Sequence, residues 1–177
     1  FTYGFRLFFG LGTAALVAAV AFALGSSFDV TDEGWMDRVL GPLTVGWKGG
    51  GVTRNGTPVR CSQQTDLRRA LVAHGDVFCF DRCEERPAFE RMAREIPILR
   101  GYTDAFGHAQ VLAGGVDAMV DLDLNPWDAA ATQVLVPEAG GRCVTLEYPE
   151  RGKLGLVIGA PALVEQLSGW LTRGRAA

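Results

Sequence analysis

Between Leu7 and Leu24 the chain reads LFFGLGTAALVAAVAFAL, eighteen residues without a charge, and any fold it adopts must bury them. The run is long enough for a transmembrane helix, or for the apolar region of a signal peptide ending near Ala23-Leu24-Gly25-Ser26. Gly10 and Gly12 weaken a helix, and Phe1-Thr2-Tyr3-Gly4-Phe5 is not a basic leader. The same run divides into two buried strands of roughly six to eight residues, which periodicity does not distinguish from buried helix. The rest of the chain narrows the class. At 177 residues it has room for one domain or two small ones, and 48% hydrophobic against 21% charged residues excludes extensive disorder. A net charge of -3 argues against phosphate-neutralising nucleic-acid binding, which needs a clustered basic surface. Because the sequence starts at Phe1 and not at Met, it is expected to be a processed chain or a piece of a longer one.

Cys79 and Cys83 stand four apart with His74 just upstream, a spacing that permits a zinc site. Cys61 and Cys143 lie alone, however, and structural zinc usually takes two close ligand pairs. The expectation is therefore four small, reduced, largely buried thiols in a cytoplasmic protein.

Residues 26 to 38 are polar and read as a loop. Leu43 to Trp47 reads as a strand, followed by a glycine turn at Gly49-Gly50-Gly51, a short strand, an Asn55-Gly56 hairpin turn and another strand. A strand follows at Ala70 to Ala73. Arg86 to Glu95 has helical composition, with Pro87 in its first turn, Phe89, Met92 and Ala93 on one face, and Pro97 as its stop. Asp104 to Gly114 reads as a second helix, capped by Thr103 or Asp104 and stopped by Gly114-Gly115. Asp117 to Asp121 is a strand. Trp127 to Ala139 is a helix interrupted near Pro137 and closed by Gly140-Gly141, Leu154 to Gly159 a buried strand, and Pro161 to Arg173 a closing amphipathic helix. Alternating strands and helices predict an α/β fold. The expected division is a strand-rich part over 1–65 and an α/β part over 66–177.

The chemistry concentrates between Asp117 and Gly141, DAMVDLDLNPWDAAATQVLVPEAGG. Asp121 sits on or just after a strand. Asp128 falls in the first turn of a helix whose next residues, Ala129-Ala130-Ala131, leave room for close approach. Free N–H groups and the helix dipole stabilise a carboxylate there, and such a carboxylate suits Mg²⁺, which takes one or two carboxylates plus substrate phosphate oxygens. An acidic residue in a first turn is, however, usually there for plain helix stabilisation.

Pro126-Trp127-Asp128-Ala129-Ala130 followed by Glu138-Ala139-Gly140-Gly141 resembles the W-D-x-A-A…E-A-G-G signature of the inositol monophosphatase superfamily. Gly49 to Arg60 resembles that family's G-G-G-A-x-x-N-G-x-P-V-R stretch, and Thr103 to His108 is similar to the histidinol-phosphatase-like branch, which carries G-D-C-Y there. The resemblance implies a layered α/β sandwich of the inositol monophosphatase type, incomplete at the N-terminus. It also implies a Mg²⁺-dependent phosphatase acting on a small phosphomonoester of the histidinol phosphate or inositol phosphate type.

Carried over residue by residue, the resemblance makes Asp128 a metal ligand and Asp121 a contact to substrate hydroxyl or amine groups, shorter than the family's usual Glu. It places Thr103 and Asp104 on the substrate loop, where Asp104 could meet a cationic amine. Tyr102 and Thr103 replace glycines of that branch. The resemblance further implies a homodimer, a small phosphorylated metabolite as partner, and neither nucleic acid nor membrane. Residues 7–15 and 16–22 correspond to two adjacent core strands, which favours burial over a membrane span. The family's G-E-E and D-P-I-D-G-T metal motifs do not occur in the sequence, so the chain as given is expected to be inactive alone. A non-catalytic paralogue serving as a binding or dimerisation module is the alternative.

Overall fold

The computed structural model describes residues 43–102 and 104–171, with the side chain of Asp104 excepted. The apolar run at 7–24, the polar loop at 26–38 and Thr103 lie outside the described residues. Among the described residues no helix is long and apolar enough to cross a membrane.

The first described elements are strands β1 (Thr44–Trp47), β2 (Gly51–Arg54) and β3 (Thr57–Pro58), an antiparallel sheet in that order. Trp47 pairs with Gly51 across the first turn, where Gly49 and Gly51 take φ of 78° and 71°. The second turn is Asn55-Gly56, with φ of 52° and 77°, the doubly left-handed turn that matches strand twist.

Positive φ at Gly49 and Gly51, and the Trp47 ring 2.1 Å from where a Cβ on Gly50 would sit, make the first turn rich in glycine, and the turn is fastened by Glu138. Its carboxylate accepts the Gly49 N–H at 2.8 Å and the Gly51 N–H at 3.2 Å, across almost ninety residues of sequence. The two signature stretches, G-G-G and E-A-G-G, are thus halves of one structural clamp.

The second sheet holds β4 (Leu71–His74), β5 (Ile98–Gly101), β6 (Ala118–Leu124), β7 (Arg142–Tyr148) and β8 (Lys153–Gly159), in the order β5-β4-β6-β8-β7. Strands β5, β4 and β6 are parallel, and β8 and β7 continue antiparallel. Helices α1 (Val77–Arg82), α2 (Arg86–Glu95) and α5 (Pro161–Ser168) cover one face; α3 (Asp104–Leu112) and α4 (Pro126–Glu138) cover the other.

Alternation along β6 sorts the side chains. Ala118, Val120 and Leu122 pack with Phe80, Met92 and Leu163, whereas Met119 packs with Val111, Ala129 and Val136. Burying each of the larger aliphatic side chains contributes about 1.5–3 kcal/mol. Sheet β1-β2-β3 rests on α4, since Val52 shares the α3/α4 core and a Cβ on Gly46 would strike Leu135 at 2.7 Å.

The α/β class, the Asn-Gly hairpin and the span of α2 agree with the sequence reading, and four details differ. The buried face of α2 is Ala88 and Met92, with Phe89 half-buried and Ala93 exposed. Pro137 lies inside the last turn of α4 without interrupting it; Gly140, at φ 78°, then closes the helix through bonds from Gly140 N to Pro137 O and Gly141 N to Val136 O. Helix α5 stops at Ser168, with Gly169 as its cap. The short helix α1 and strands β5 and β7 were not expected from the sequence.

The two backbone bonds hold the Glu138 carboxyl below the usual carboxylate range. A depressed folded pKa contributes stability that is present above the unfolded value and is lost as pH falls through the folded one. Glu138→Gln is therefore expected to lower Tm at neutral pH, with the gap to wild type closing as thermal unfolding is followed from about pH 7 to pH 3.

Candidate functional site

The chain leaves β4 through α1 and α2 to reach β5 on one side, then returns through α3 to β6 on the other. The connections therefore diverge at the carboxyl ends of β4 and β6, the crevice where open α/β sheets place ligands. Helices α1, α3 and α4 all begin at this edge, so the positive ends of their dipoles point toward it. The edge gathers Gly75 and Asp76 after β4, Tyr102 and the start of α3 after β5, and Asp121, Asn125 and Asp128 from β6 and α4.

Asp121 lies next to Gly75, one step beyond the paired His74 and Val120, and is only 2% exposed. Its Oδ2 lies 3.1 Å from Nε2 of His108, whose Nδ1 lies 2.8 Å from Oγ1 of Thr132. Its Oδ1 faces Gly75, where an added Cβ would come within 2.1 Å of that oxygen. A side chain at position 75 and a carboxylate at 121 cannot coexist in this geometry.

The pairing of β6 with β8 breaks between Asp121 and Leu124, where Asp123 takes φ of 62°. Regular alternation of Asp121-Leu122-Asp123-Leu124 would set two carboxylates on one face. The irregularity separates them and moves Leu124 into the α3/α4 core. The side chain of Asp123 is 5% exposed and held by Arg82 Nε at 3.0 Å and Arg151 Nη2 at 2.9 Å.

Asp128 is exposed in the first turn of α4, next to Trp127, which is 64% exposed. Its Oδ2 accepts the Asn125 backbone N–H at 3.2 Å and the Asn125 Nδ2 at 2.9 Å, while Lys153 Nζ holds Asn125 Oδ1 at 2.6 Å. One carboxylate oxygen is thus anchored; Oδ1 has no hydrogen bond among the described residues, which suits a single ligand to a cation. Among the described residues no group of three or more His, Cys, Asp or Glu is placed to hold a metal ion. The described part of the chain therefore fits one ligand of a metal site and no more.

Of the sequence-predicted residues, Asp128 stands open at the edge and Asp121 is enclosed beneath it. Asp104 opens α3 at the same edge, and Thr103 lies outside the described residues. His108, Thr132, Asp123 and Arg151 were missed. The Asp-x-Asp alternation at the end of β6 carried a signal for the irregularity, but nothing local marked His108 as a partner of Asp121.

The cysteines are free thiols, Cys61 and Cys83 buried and the other two half-buried; burial pushes Cys61, Cys83 and Cys143 up to about 11. His74 is engaged elsewhere, its Nδ1 2.6 Å from Gly75 O and its ring edge-on to Phe80 and Phe89. A cleft of about 740 Å³ opens at the opposite edge of the sheet, lined by Arg68, Arg91, Arg94, Glu95 and Trp170. There Arg91 stacks on Trp170 and pairs with Glu95, near the end of α2 where cations offset the helix dipole.

A three-layer α/β fold with carboxylates and helix N-termini gathered at its switch point defines the structural class. Within that class, the chain belongs to the inositol monophosphatase family, whose model matches residues 13–170. It is similar to a histidinol-phosphatase of Chlorobaculum parvum, 30% identical over 121 residues that cover 68% of this chain and 45% of the relative. It is also similar to an inositol monophosphatase of Dictyostelium discoideum, 30% identical over 161 residues that cover 84% of this chain and 57% of the relative. The extragenic suppressor protein suhB of Bartonella henselae superposes with a TM-score of 0.64 at 23% identity, over 77% of this chain and 54% of that one, which shows the shared fold. The chain spans about half the length of the curated relatives it matches.

Two substitutions test the packing of the site. Gly75→Ala is expected to cost about 3 kcal/mol in denaturant unfolding, and much less when Asp121 is also replaced by Ala; additive losses would contradict the close approach. Asp123→Asn tolerates the positive φ, removes the charge and turns one accepting oxygen into a donor that faces an arginine. It is expected to cost about 1–2 kcal/mol, below the value for a fully buried pair because Arg82 is half-exposed.

Proposed function

We propose that the chain is part of a Mg²⁺-dependent phosphatase that hydrolyses a small phosphomonoester of the histidinol phosphate or inositol phosphate type. The observation that carries this reading is Asp128, held by Asn125 with one oxygen open, at the helix start where the family signature lies. In this reading Asp128 is one ligand of Mg²⁺. The ion, when bound, supplies charge neutralisation at the phosphate and a nucleophile from water. The positive ends of the α3 and α4 dipoles favour the anionic end of the substrate at this edge. Thr103 and Asp104 contact the rest of the substrate, Asp104 through a charge-assisted bond where that part is cationic. Asp121 offers its one uncommitted oxygen to a hydroxyl or amine. The reading extends to a cytoplasmic homodimer, with a boundary near residue 65 between the larger antiparallel sheet and the α/β part.

The test is turnover of small phosphomonoesters by the full-length protein and its Asp128→Asn variant, with Mg²⁺ titrated. Loss of at least about 100-fold in kcat/KM is expected, since losing a direct ligand should cost no less than losing an outer-shell partner. Unchanged turnover in the variant contradicts the metal assignment. A full-length wild type without activity on any such ester favours the non-catalytic module.

A further inference from the structure

His108 is buried, both its ring nitrogens are engaged, and the phosphatase reading gives it no task. Its place in the fold supplies one. His108 lies four residues after Asp104 in α3, and Thr132 lies four residues after Asp128 in α4, so each stands one turn below a first turn at the site edge. The 2.8 Å contact between His108 Nδ1 and Thr132 Oγ1 therefore joins the two helices directly beneath the residues that open them. The third arm, from Nε2 to Asp121 Oδ2 at 3.1 Å, ties both helices to β6. The His108 and Asp121 side chains are 7% and 3% exposed, and Thr132 is 5% exposed, so water is a poor substitute for any of these bonds.

We propose that His108 is the positioning residue of the site: it selects which oxygen of Asp121 faces the β4/β6 crevice and sets the spacing of the first turns that carry Asp104 and Asp128. A carboxylate only accepts hydrogen bonds, so Nε2 donates to Asp121, and in the neutral ring Nδ1 accepts from the Thr132 hydroxyl. That arrangement satisfies every group in the chain of bonds and leaves only Oδ1 of Asp121, over Gly75, for a ligand. The kinetic consequence rests on the phosphatase reading; the structural one does not.

Three variants of the full chain test this, each read by backbone amide NMR and by phosphomonoester turnover. His108→Leu removes both bonds. His108→Gln keeps an N–H for Asp121 and a carbonyl for the Thr132 hydroxyl. Thr132→Val removes only the bond between the helices and serves if the Leu variant does not fold. The Leu variant is expected to shift the amides of residues 104–106 and 127–129 and to lower kcat/KM by about 10- to 100-fold. The Gln variant is expected to recover most of both effects, and Thr132→Val to shift the same amides by less.

Unmoved first-turn amides in the Leu variant, or in Thr132→Val where that variant stands in for it, overturn the proposal whatever the turnover. So does a Gln variant as impaired as the Leu variant. Shifted amides with Gln rescue, in a wild type that turns over no phosphomonoester, uphold the positioning role and count against the phosphatase reading alone.

Discussion

A carboxylate enclosed at the junction of a parallel sheet costs several kcal/mol unless donors meet it, and the architecture around Asp121 follows from that requirement. One oxygen is met by His108, which obliges α3 to lie where its second turn reaches β6. The other abuts Gly75, which obliges the residue after β4 to lack a side chain. Thr132 completes the chain and draws α4 against α3. Three elements that open the site edge are thereby registered by one buried group, without a loop having to hold them.

The irregularity at Asp123 has a complementary effect. Strand β6 must pair in parallel with β4 and antiparallel with β8, then hand the chain to α4 within a single residue, Asn125. The left-handed residue in its ladder turns the last part of the strand, and the two arginines on Asp123 brace the turn from outside. Asn125 then holds Asp128 by its backbone and side-chain N–H groups while Lys153 steadies Asn125. At the far end of the same helix, Glu138 reaches the glycine turn of the first sheet. Much of the signature stretch is thus structural, with Asp128 its outward-facing carboxylate.

Legibility in the sequence follows the range of the interaction that decides each element. The Asn55-Gly56 hairpin, the Pro97 stop of α2 and the Gly140-Gly141 closure of α4 are written in local backbone chemistry, and the sequence reading locates them. Helix α1 is six residues, VFCFDR, too short for a hydrophobic period, and rests on the Asp76 cap. Strand β5 is an edge strand with little burial, so it carries no alternation to read. Ala93 was set on the wrong face because helix composition does not say which of two adjacent apolar stripes the sheet will cover. At the site, the family resemblance pointed to Asp121 and Asp128 together. Only the fold distinguishes the enclosed carboxylate from the open one, because the difference lies in His108 and Gly75, 13 and 46 residues away along the chain.

Asp128 stands open at the edge and Asp121 is enclosed beneath it, and a paramagnetic divalent ion separates the two. Mn²⁺ titrated into the full-length protein should broaden the amides of residues 125–129 first, with those around Thr132 and His108, about one turn below, following at higher Mn²⁺. Broadening centred on Asp121 and Gly75, or spread evenly over surface carboxylates with none preferred, is incompatible with Asp128 as the open metal-facing carboxylate.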